Sequence, residues 1–431
     1  MPVSRGRAYA LVAAIAALPR LIVLLHERGQ IMTAFTDKSD DFARTFVASG
    51  TFGFLSGHPS AYTQPLYGFF LVPLYWLFGR HWEVVGLAQI AVAVGTAVLV
   101  YEIGRRLLSA RAGIVAAALT TLHPYLVWHD VHLNREILDQ FLAAAIVLLT
   151  LILTSRPNLR AGALLGLAGG LGILGNVRLA ALPLLVAAFV LWQAGWRRHV
   201  LAAAGVSLAA CALVVAPWVV RNRVSVGCFA VTTDARALWK ANNPNTYRTL
   251  THGGWIDDVP PYPGAPPTPQ DASELYLKTG RYVPVDECAQ MRFFSHKVHS
   301  FWFHHVGEKA KLALLAGQME WQPSVVETSG RSEKGTFIDS LRTSTEPVYV
   351  VALYALALAG LFFVPRPFAV LTLLLLAYQT VVAMIFVGVT RYRVPWDFLL
   401  CVLASATILE LARRARESGF VGGTPQARAE G

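Results

Sequence analysis

Three aspartates in one short stretch are the side chains best suited to chemistry in this 431-residue chain. Asp37, Asp40 and Asp41 lie in the sequence TDKSDDF, and the whole chain has only 26 acidic residues. A carboxylate can take a proton from a hydroxyl group and so act as a general base. The same spacing is typical of a helix N-cap and first turn, where acids stabilise the helix by about 1 kcal/mol. All three are candidates for catalysis, with Asp40 and Asp41 preferred and Asp37 in a competing register.

The composition indicates the kind of protein that carries these aspartates. Hydrophobic residues make up 55% of the chain, charged residues 15%, and the mean hydropathy is +0.48. These values predict an all-α polytopic membrane protein. The net charge of +11 does not indicate nucleic-acid binding, because the arginines occur in short tracts beside apolar segments, as in membrane proteins.

The apolar segments predict about ten transmembrane helices. A spanning helix needs roughly 20 predominantly apolar residues. The segment at 65–79 is aromatic and too short to span, so we expect an interfacial helix there. The N-terminal segment resembles a signal peptide without a convincing cleavage site, and we expect it to be retained as the first helix. The predicted spans are 8–25, 84–103, 113–129, 137–154, 161–176, 179–195, 199–220, 347–364, 368–389 and 395–412.

The arginines also favour one orientation of these spans. Positive charge is enriched in the cytoplasmic loops of membrane proteins, and most arginines beside the spans fall on one side if 65–79 does not cross. We therefore predict a multi-pass protein of the inner or plasma membrane with both termini in the cytoplasm. The predicted parts are an N-terminal membrane module 1–220 with a first external loop 26–83, a small external region of mixed structure 221–346, C-terminal membrane helices 347–412 and a disordered tail 413–431.

Four arginines remain on the external face, where positive charge should be scarce: Arg135, Arg178, Arg391 and Arg393. Charges near the membrane are costly and often mark function. The guanidinium group matches the oxygens of phosphate, and a phosphate at a membrane surface usually belongs to a lipid. The alternatives are an ion pair of Arg135 with Glu136 or Asp139, and snorkelling of Arg391 and Arg393 to lipid headgroups.

Acids opposite a lipid phosphate indicate a group-transfer reaction. If the lipid is a polyprenyl-phosphate sugar, the phosphate is the leaving group and needs little help from an acid, because its second pKa is about 6. The reaction then needs a base for the acceptor hydroxyl and positive charge for the departing phosphate. Asp40 or Asp41 fits the base, and Arg135, Arg391 and Arg393 fit the positive charge. Direct displacement would invert the anomeric centre.

Several short motifs occur in a shared order along this topology. An acidic pair opens the first loop, a Pro-Leu-Tyr helix follows, and arginine-containing turns begin two later helices. The motifs are SDDF (39–42), QPLYGFFLVPLYWLFG (64–79), GRRL (104–107), REILD (135–139), NNP (242–244) and RYRVP (391–395). With these motifs the chain resembles the GT-C glycosyltransferases, in particular the bacterial relatives of dolichyl-phosphate-mannose protein mannosyltransferases and the aminoarabinose transferases.

The resemblance implies GT-C architecture and a role for Arg135 in binding the lipid phosphate. It marks Asn242 and Asn243 as residues that either bind the acceptor or cap a turn. The sequence departs from the family in having Asp-Asp where Asp-Glu is common and Ala241 where glycine often precedes Asn-Asn-Pro. No match to the zinc-binding acid of the aminoarabinose transferases is found, so we predict neither a metal nor another cofactor.

The four cysteines divide into two pairs. Cys211 and Cys401 lie in apolar helices and are expected in the core. Cys228 and Cys288 both lie in the external region, where they either form a disulfide or remain free thiols.

Two other functions fit parts of the sequence. A transporter or flippase of a lipid-linked sugar would use the arginines but not the aspartates. A structural or assembly protein would hold a partner through residues 221–346 and would need neither the arginines nor the aspartates. The sequence does not name the sugar, the oligomeric state or the acceptor, whether protein, glycan or lipid.

Overall fold

The computed structural model describes residues 4–33, 37–324 and 337–418, and these residues form helices and loops. Ten helices build the N-terminal module. They are α1 (Arg5–His26), α2 (Lys38–Ser49), α3 (Pro65–Phe78), α4 (Trp82–Leu107), α5 (Ala110–Thr121), α6 (Pro124–His129), α7 (Glu136–Ser155), α8 (Leu159–Gly175), α9 (Leu182–Ala194) and α10 (Arg198–Ser225).

Nine further helices follow in the second half of the chain. They are α11 (Ala235–Lys240), α12 (Thr246–Thr251), α13 (Pro269–Thr279), α14 (Glu287–His304), α15 (Val306–Glu320), α16 (Phe337–Gly360), α17 (Arg366–Ile385), α18 (Thr390–Arg393) and α19 (Phe398–Glu417). Short 3₁₀ helices lie at 177–179, 256–258 and 394–396.

The prediction of a multi-pass helical membrane protein is confirmed. Within the described ranges, six helices are long and apolar enough to cross a membrane, or seven if the pair that bends by 56° between α18 and α19 is one span. The count of ten stays a prediction. The span expected at 113–129 is divided into α5 and α6 because Pro124 disfavours helical geometry at the preceding residue. The span expected at 161–176 is α8, whose 17 residues are fewer than the roughly 20 that a spanning helix needs.

Close packing of α8 against α10 explains the glycine-rich sequence of α8. Gly162, Gly166 and Gly170 lie four residues apart, and a Cβ atom on any of them would collide with α10. Small residues at this spacing let membrane helices approach closely. The glycines of α8 therefore serve the close packing of these two helices.

Two expectations for the polar parts of the chain need correction. The external region was expected to have mixed structure, but between 226 and 324 the structure contains helices and loops without a strand. The disordered tail was expected from residue 413, but α19 continues to Glu417, where ion pairs of Arg413 with Glu410 and Glu417 stabilise its last turns. Residues 419–431 lie outside the described residues.

The first external loop is attached to the external region at Glu287. One oxygen of this carboxylate accepts hydrogen bonds from the Ala61 backbone N–H at 3.0 Å and the Thr233 hydroxyl at 2.6 Å. The next residue, Cys288, forms a disulfide with Cys228, with 5.8 Å between their Cα atoms. Of the two alternatives for these cysteines, the structure has the disulfide. It holds the start of α14, and with it Glu287, against the end of α10.

Replacing both disulfide cysteines by alanine should lower the stability of the protein. The disulfide joins residues separated by 60 positions, and losing such a crosslink typically costs about 2–4 kcal/mol. We expect a drop of several degrees in the midpoint of thermal unfolding, followed by tryptophan fluorescence in detergent. The control is Cys211→Ala, which removes a buried free thiol. Equal midpoints for the double variant and wild type would contradict the stabilising role.

Candidate active site

Helix α2 presents all three aspartates of the first loop. Asp37 is the N-cap, and its Oδ1 accepts hydrogen bonds from the Ser39 backbone N–H at 2.8 Å and the Ser39 hydroxyl at 2.6 Å. Asp40 and Asp41 lie in the first turn, where acids interact favourably with the helix dipole. The helix ends at Gly50, whose φ of 74° is easily adopted only by glycine. Position in α2 alone therefore does not distinguish the three carboxylates.

Asp40 is fully engaged in a buried ion pair. Its Oδ1 accepts from the Tyr75 hydroxyl at 2.7 Å and from Arg80 Nε at 2.9 Å, and its Oδ2 accepts from Arg80 Nη2 at 2.8 Å. The residue is 1% exposed. Both oxygens of Asp40 therefore have partners within the fold, and these bonds fix α2 to the end of α3. A catalytic role for Asp40 stays a prediction.

The side chain of Asp41 is more exposed than that of Asp40. Its side chain is 52% exposed and lies 3.6 Å from Arg44. Desolvation by the surrounding loop raises the pKa of Asp41, and the Asp40 carboxylate raises it further. Asp41 can take up a proton, but among the described residues it makes no ion pair with Arg135, Arg178, Arg391 or Arg393.

Asp37 interacts electrostatically with Arg135 at the N-terminus of α7 and with Tyr67 of α3. Both hydrogen bonds from Ser39 go to Oδ1, and within the described residues no hydrogen bond is made to Oδ2. Of the three predicted carboxylates, Asp37 is therefore the one with a free oxygen next to positive charge.

Three of the four predicted arginines come together around one tyrosine. The guanidinium carbon of Arg178 lies 3.7 Å from the centroid of the Tyr392 ring, and that of Arg391 lies 5.3 Å from it. Arg135 interacts electrostatically with the same tyrosine. We call Arg135, Arg178 and Arg391 around Tyr392 the arginine cluster. Residues far apart in sequence, from α7, the 3₁₀ helix after α8, and α18, build it.

The positive charge of the arginine cluster is only partly balanced. Arg391 Nε lies 3.1 Å from Glu136, and Arg135 Nε lies 4.0 Å from the same carboxylate. Arg135 also donates to Gln64 Oε1 at 2.7 Å. Arg178 makes no ion pair in the part of the chain that the structure describes. The cluster thus keeps the capacity to bind an anion with two or three oxygen acceptors.

A carboxylate and an amide position Arg178. Asp139 Oδ2 accepts from Asn176 Nδ2 at 3.0 Å, and Asn176 Oδ1 accepts from the Arg178 backbone N–H at 3.2 Å. The Tyr378 hydroxyl donates to the Arg178 carbonyl at 2.7 Å. These bonds fix the short turn that carries the guanidinium group. Asp139 is thus a structural partner of the site, as its sequence position indicated.

Arg393 does not belong to the arginine cluster, which corrects that prediction. It is 0% exposed, pairs with Asp397 at 3.0 Å, and donates to the carbonyls of Glu320 at 2.9 Å and Gln322 at 3.0 Å. All its bonding capacity goes to these groups. It does position the site, since these bonds hold α18, from which Arg391 and Tyr392 project.

Asn242 and Asn243 are buried and occupied. The Asn242 carbonyl oxygen accepts from Trp302 Nε1 at 2.8 Å and from Lys309 Nζ at 2.6 Å, which joins α14 and α15 to the end of α11. The Asn243 amide caps its own turn by donating to the Trp239 carbonyl at 2.9 Å. The bonds of Asn243 fit the alternative of a turn cap. A role of either asparagine in binding the acceptor stays a prediction.

A separate apolar cleft of about 610 Å³ lies beside α3 and the outer end of α10. Aromatic side chains form much of its wall, including Phe52, Phe69 and Trp218. Leu174 of α8 faces the cleft, while Asn176, two residues later, belongs to the site. The cleft therefore flanks the arginine cluster across the end of α8. No group of three or more metal-binding side chains occurs among the described residues, and the metal prediction stays untested.

The fold is similar to that of two solved archaeal oligosaccharyltransferase structures. The archaeal oligosaccharyltransferase AglB from Archaeoglobus fulgidus, in complex with an inhibitory peptide and a dolichol-phosphate, has a TM-score of 0.53 and 13% identity. The match covers 96% of this chain and 52% of AglB. The oligosaccharyltransferase of the same organism, tethered to an acceptor peptide with the NVT sequon, has a TM-score of 0.55 and 12% identity, covering 97% and 51%. The chain spans about half the length of these proteins.

Residues 58–220 match the sequence profile of the dolichyl-phosphate-mannose-protein mannosyltransferase family. Together with the fold, this match confirms the resemblance expected from the sequence. ArnT from Cupriavidus metallidurans, bound to undecaprenyl phosphate, aligns over 98% of this chain and 82% of its own, with 15% identity and a TM-score of 0.46. None of the curated protein sequences matches the chain.

Sequence reasoning missed Tyr392 and Gln64 as parts of the site. Tyr392 stands between two arginines that had been selected, and an aromatic residue between like charges is a usable signal. Gln64 directly precedes the proline that starts α3, so its position indicates a helix boundary. Its contact with Arg135, 71 positions away, has no signature in the sequence.

Removing Arg80 should destabilise the protein more than removing Arg44. Arg80→Ala leaves the buried Asp40 carboxylate without its cation, and breaking a buried pair costs about 3–5 kcal/mol. Arg44→Ala breaks an exposed contact worth at most about 1 kcal/mol. Thermal unfolding of both variants in detergent measures the difference. Equal losses of stability in the two variants would refute a structural role for the Asp40–Arg80 pair.

Proposed function

We propose that this protein is an integral membrane glycosyltransferase that moves a sugar from a polyprenyl-phosphate donor to an acceptor hydroxyl. The observation that carries the proposal is the arginine cluster, which acids balance only in part and whose Arg135 interacts electrostatically with Asp37 of the first loop. The GT-C fold and the mannosyltransferase family match support the same reaction class. AglB is described with a dolichol-phosphate, which is a polyprenyl phosphate of the class proposed here.

The arginines have a direct role in this reaction. A polyprenyl-phosphate sugar is a phosphodiester with one negative charge, and its release as a monoester adds up to a second charge. Arg135, Arg178 and Arg391 stabilise that added charge, because fixed cations in a partly buried site do not need to reorganise. They therefore lower the barrier for breaking the bond between the anomeric carbon and the phosphate oxygen.

Asp37 is assigned as the general base. The acceptor oxygen attacks the anomeric carbon from the side opposite the phosphate, its proton passes to Asp37 Oδ2, and the phosphate oxygen keeps the electron pair of the broken bond. The configuration at the anomeric carbon is inverted. Ser39 holds Oδ1 by two hydrogen bonds and so keeps Oδ2 directed toward the site.

The active site is assigned to the external side of the membrane. Disulfides persist in oxidising compartments, and the Cys228–Cys288 disulfide lies in the region that anchors the first loop. The distribution of arginines along the chain supports the same orientation, with both termini in the cytoplasm. In the proposed organisation, the module 1–220 supplies Asp37 and two arginines, and the C-terminal helices 347–412 supply Arg391.

Asp37→Asn should abolish transfer while donor binding is retained. Asparagine is nearly isosteric and can keep the N-cap, but it cannot take the proton of the acceptor. The assay incubates purified protein in detergent with an extracted pool of polyprenyl-phosphate sugars and cell-envelope acceptors, and follows release of free polyprenyl phosphate. We expect a loss of at least about 10²-fold.

The matched variant for this test is Asp41→Asn, on the same helix, which should retain most activity. Full activity of Asp37→Asn together with loss in Asp41→Asn would assign the base to Asp41 instead. Donor that binds to wild type but is never consumed would favour the transporter or flippase, which needs no base.

Arg178→Ala should weaken donor binding about 10- to 100-fold, because a hydrogen bond to a charged group contributes about 1.5–3 kcal/mol. Arg178→Lys should recover part of the affinity, since it keeps the charge without the planar fork. Binding is measured with a fluorescent polyprenyl-phosphate sugar in detergent. The control is Arg236→Ala, which removes an arginine paired with Asp271 in the external region. Equal affinities for all four proteins would exclude the cluster as the phosphate site.

A further inference from the structure

We propose that the hydroxyl group of Tyr392 stabilises the leaving phosphate, so that the site binds the released polyprenyl phosphate better than it binds the donor. This inference rests on the proposed function and adds a residue that acts on the reacting atoms. It starts from the central place of Tyr392 in the arginine cluster. The tyrosine is half-buried, and arginines from two different parts of the chain cover its ring.

The ring of Tyr392 allows the arginines to stay close together. Two guanidinium groups repel each other, and the repulsion grows as water is removed. An aromatic face attracts a cation by about 0.5–2 kcal/mol, depending on its exposure. With Arg178 at 3.7 Å and Arg391 at 5.3 Å from its centroid, the ring attracts both charges and offsets part of their repulsion.

The hydroxyl group of Tyr392 lies in the same electrostatic field. Arg391 Nη2 lies 3.5 Å from the hydroxyl oxygen, and Arg178 and Arg135 interact with it electrostatically. Cations attract the oxygen of a hydroxyl group and repel its hydrogen. The hydrogen is therefore directed away from the guanidinium groups and toward an anion that they hold. A phosphate in the cluster would receive this hydrogen bond.

The backbone of Tyr392 is fixed before any ligand binds. On one side of it, the Thr390 hydroxyl donates to the carbonyls of Met319 and Ser324, each at 3.2 Å. On the other side, Arg393 is locked by its buried pair with Asp397. Preorganised donors are those that stabilise developing charge most, because no reorganisation is needed in the transition state.

The hydrogen bond strengthens as the reaction proceeds. In the donor, the oxygen between phosphorus and the anomeric carbon carries no formal charge. When the carbon–oxygen bond breaks, the electron pair stays on this oxygen, the acceptor oxygen bonds to the carbon, and the acceptor proton goes to Asp37. Tyr392 donates to the oxygen that has gained charge, and hydrogen bonds to charged acceptors are roughly twice as strong as neutral ones. The Tyr392 hydrogen bond therefore stabilises the transition state and the product complex more than it stabilises the donor complex.

Tyr392→Phe is the test, because it keeps the ring and removes only the hydroxyl group. We expect donor affinity within about twofold of wild type, affinity for free polyprenyl phosphate about 10-fold weaker, and kcat lower by about 10²-fold. Tyr392→Leu, which also removes the ring, should in addition weaken donor binding. The control is Tyr349→Phe, which removes a hydroxyl that donates to the Leu119 carbonyl at 2.6 Å, outside the cluster.

The outcomes separate this inference from the function on which it rests. Wild type that binds neither donor nor free polyprenyl phosphate would overturn both. Wild type that transfers sugar, with Tyr392→Phe unchanged in kcat and in affinity for polyprenyl phosphate, would overturn the role of Tyr392 alone. An equal loss of affinity for donor and product in Tyr392→Phe would also overturn it, because that result means uniform binding of the phosphate. Thermal unfolding of each variant identifies losses caused by misfolding.

Discussion

Mutual repulsion among Arg135, Arg178 and Arg391 is the constraint on which the rest of the site depends. Three cations near the edge of a membrane cost free energy unless a ligand or a partner offsets them. The protein offsets this cost only in part. Glu136 lies next to Arg135 and Arg391, and the Tyr392 ring lies next to Arg178 and Arg391. Other acids nearby are used elsewhere: Asp139 holds Asn176, and Asp397 holds Arg393. The remaining positive charge is what an anionic lipid phosphate would neutralise.

The surrounding fold can be understood as the support for these charges. The arginines lie on short turns that would move apart without fixed ends, and each turn is tied to a long helix by buried polar bonds. Arg80 and Tyr75 fix α2 through Asp40, and the disulfide fixes the start of α14, which bonds to the first loop. Arginines that lie 256 positions apart in sequence, Arg135 and Arg391, therefore meet at the same carboxylate of Glu136.

Much of this could be predicted from sequence, for physical reasons. Apolar length and arginine distribution determine a membrane fold strongly, and polar residues at the ends of membrane helices are few enough to select by inspection. The hydrogen-bond and ion-pair partners of the individual polar side chains could not be predicted. Asp40 was one of the two preferred candidates for the base, and its bonds to Arg80, 40 positions away, have no signature in the sequence. Arg391 and Arg393 looked equivalent, but on a four-residue helix they project differently, one to the cluster and one to Asp397.

The asparagines show the same difference between a residue's type and its bonding partners. A polar residue in a motif is either a ligand for substrate or a bond within the fold, and both leave the same residue type in the sequence. Asn242 accepts hydrogen bonds from a half-buried lysine and a tryptophan, so its amide stabilises the fold. Tyr392 lies in the motif RYRVP but was not chosen as a site residue. Two arginines lie against its ring, and within the described residues its hydroxyl makes only a long hydrogen bond of 3.5 Å, with Arg391. In this protein, a polar side chain that has few hydrogen bonds and lies next to unpaired charges is therefore a better candidate for ligand binding than one chosen by residue type alone.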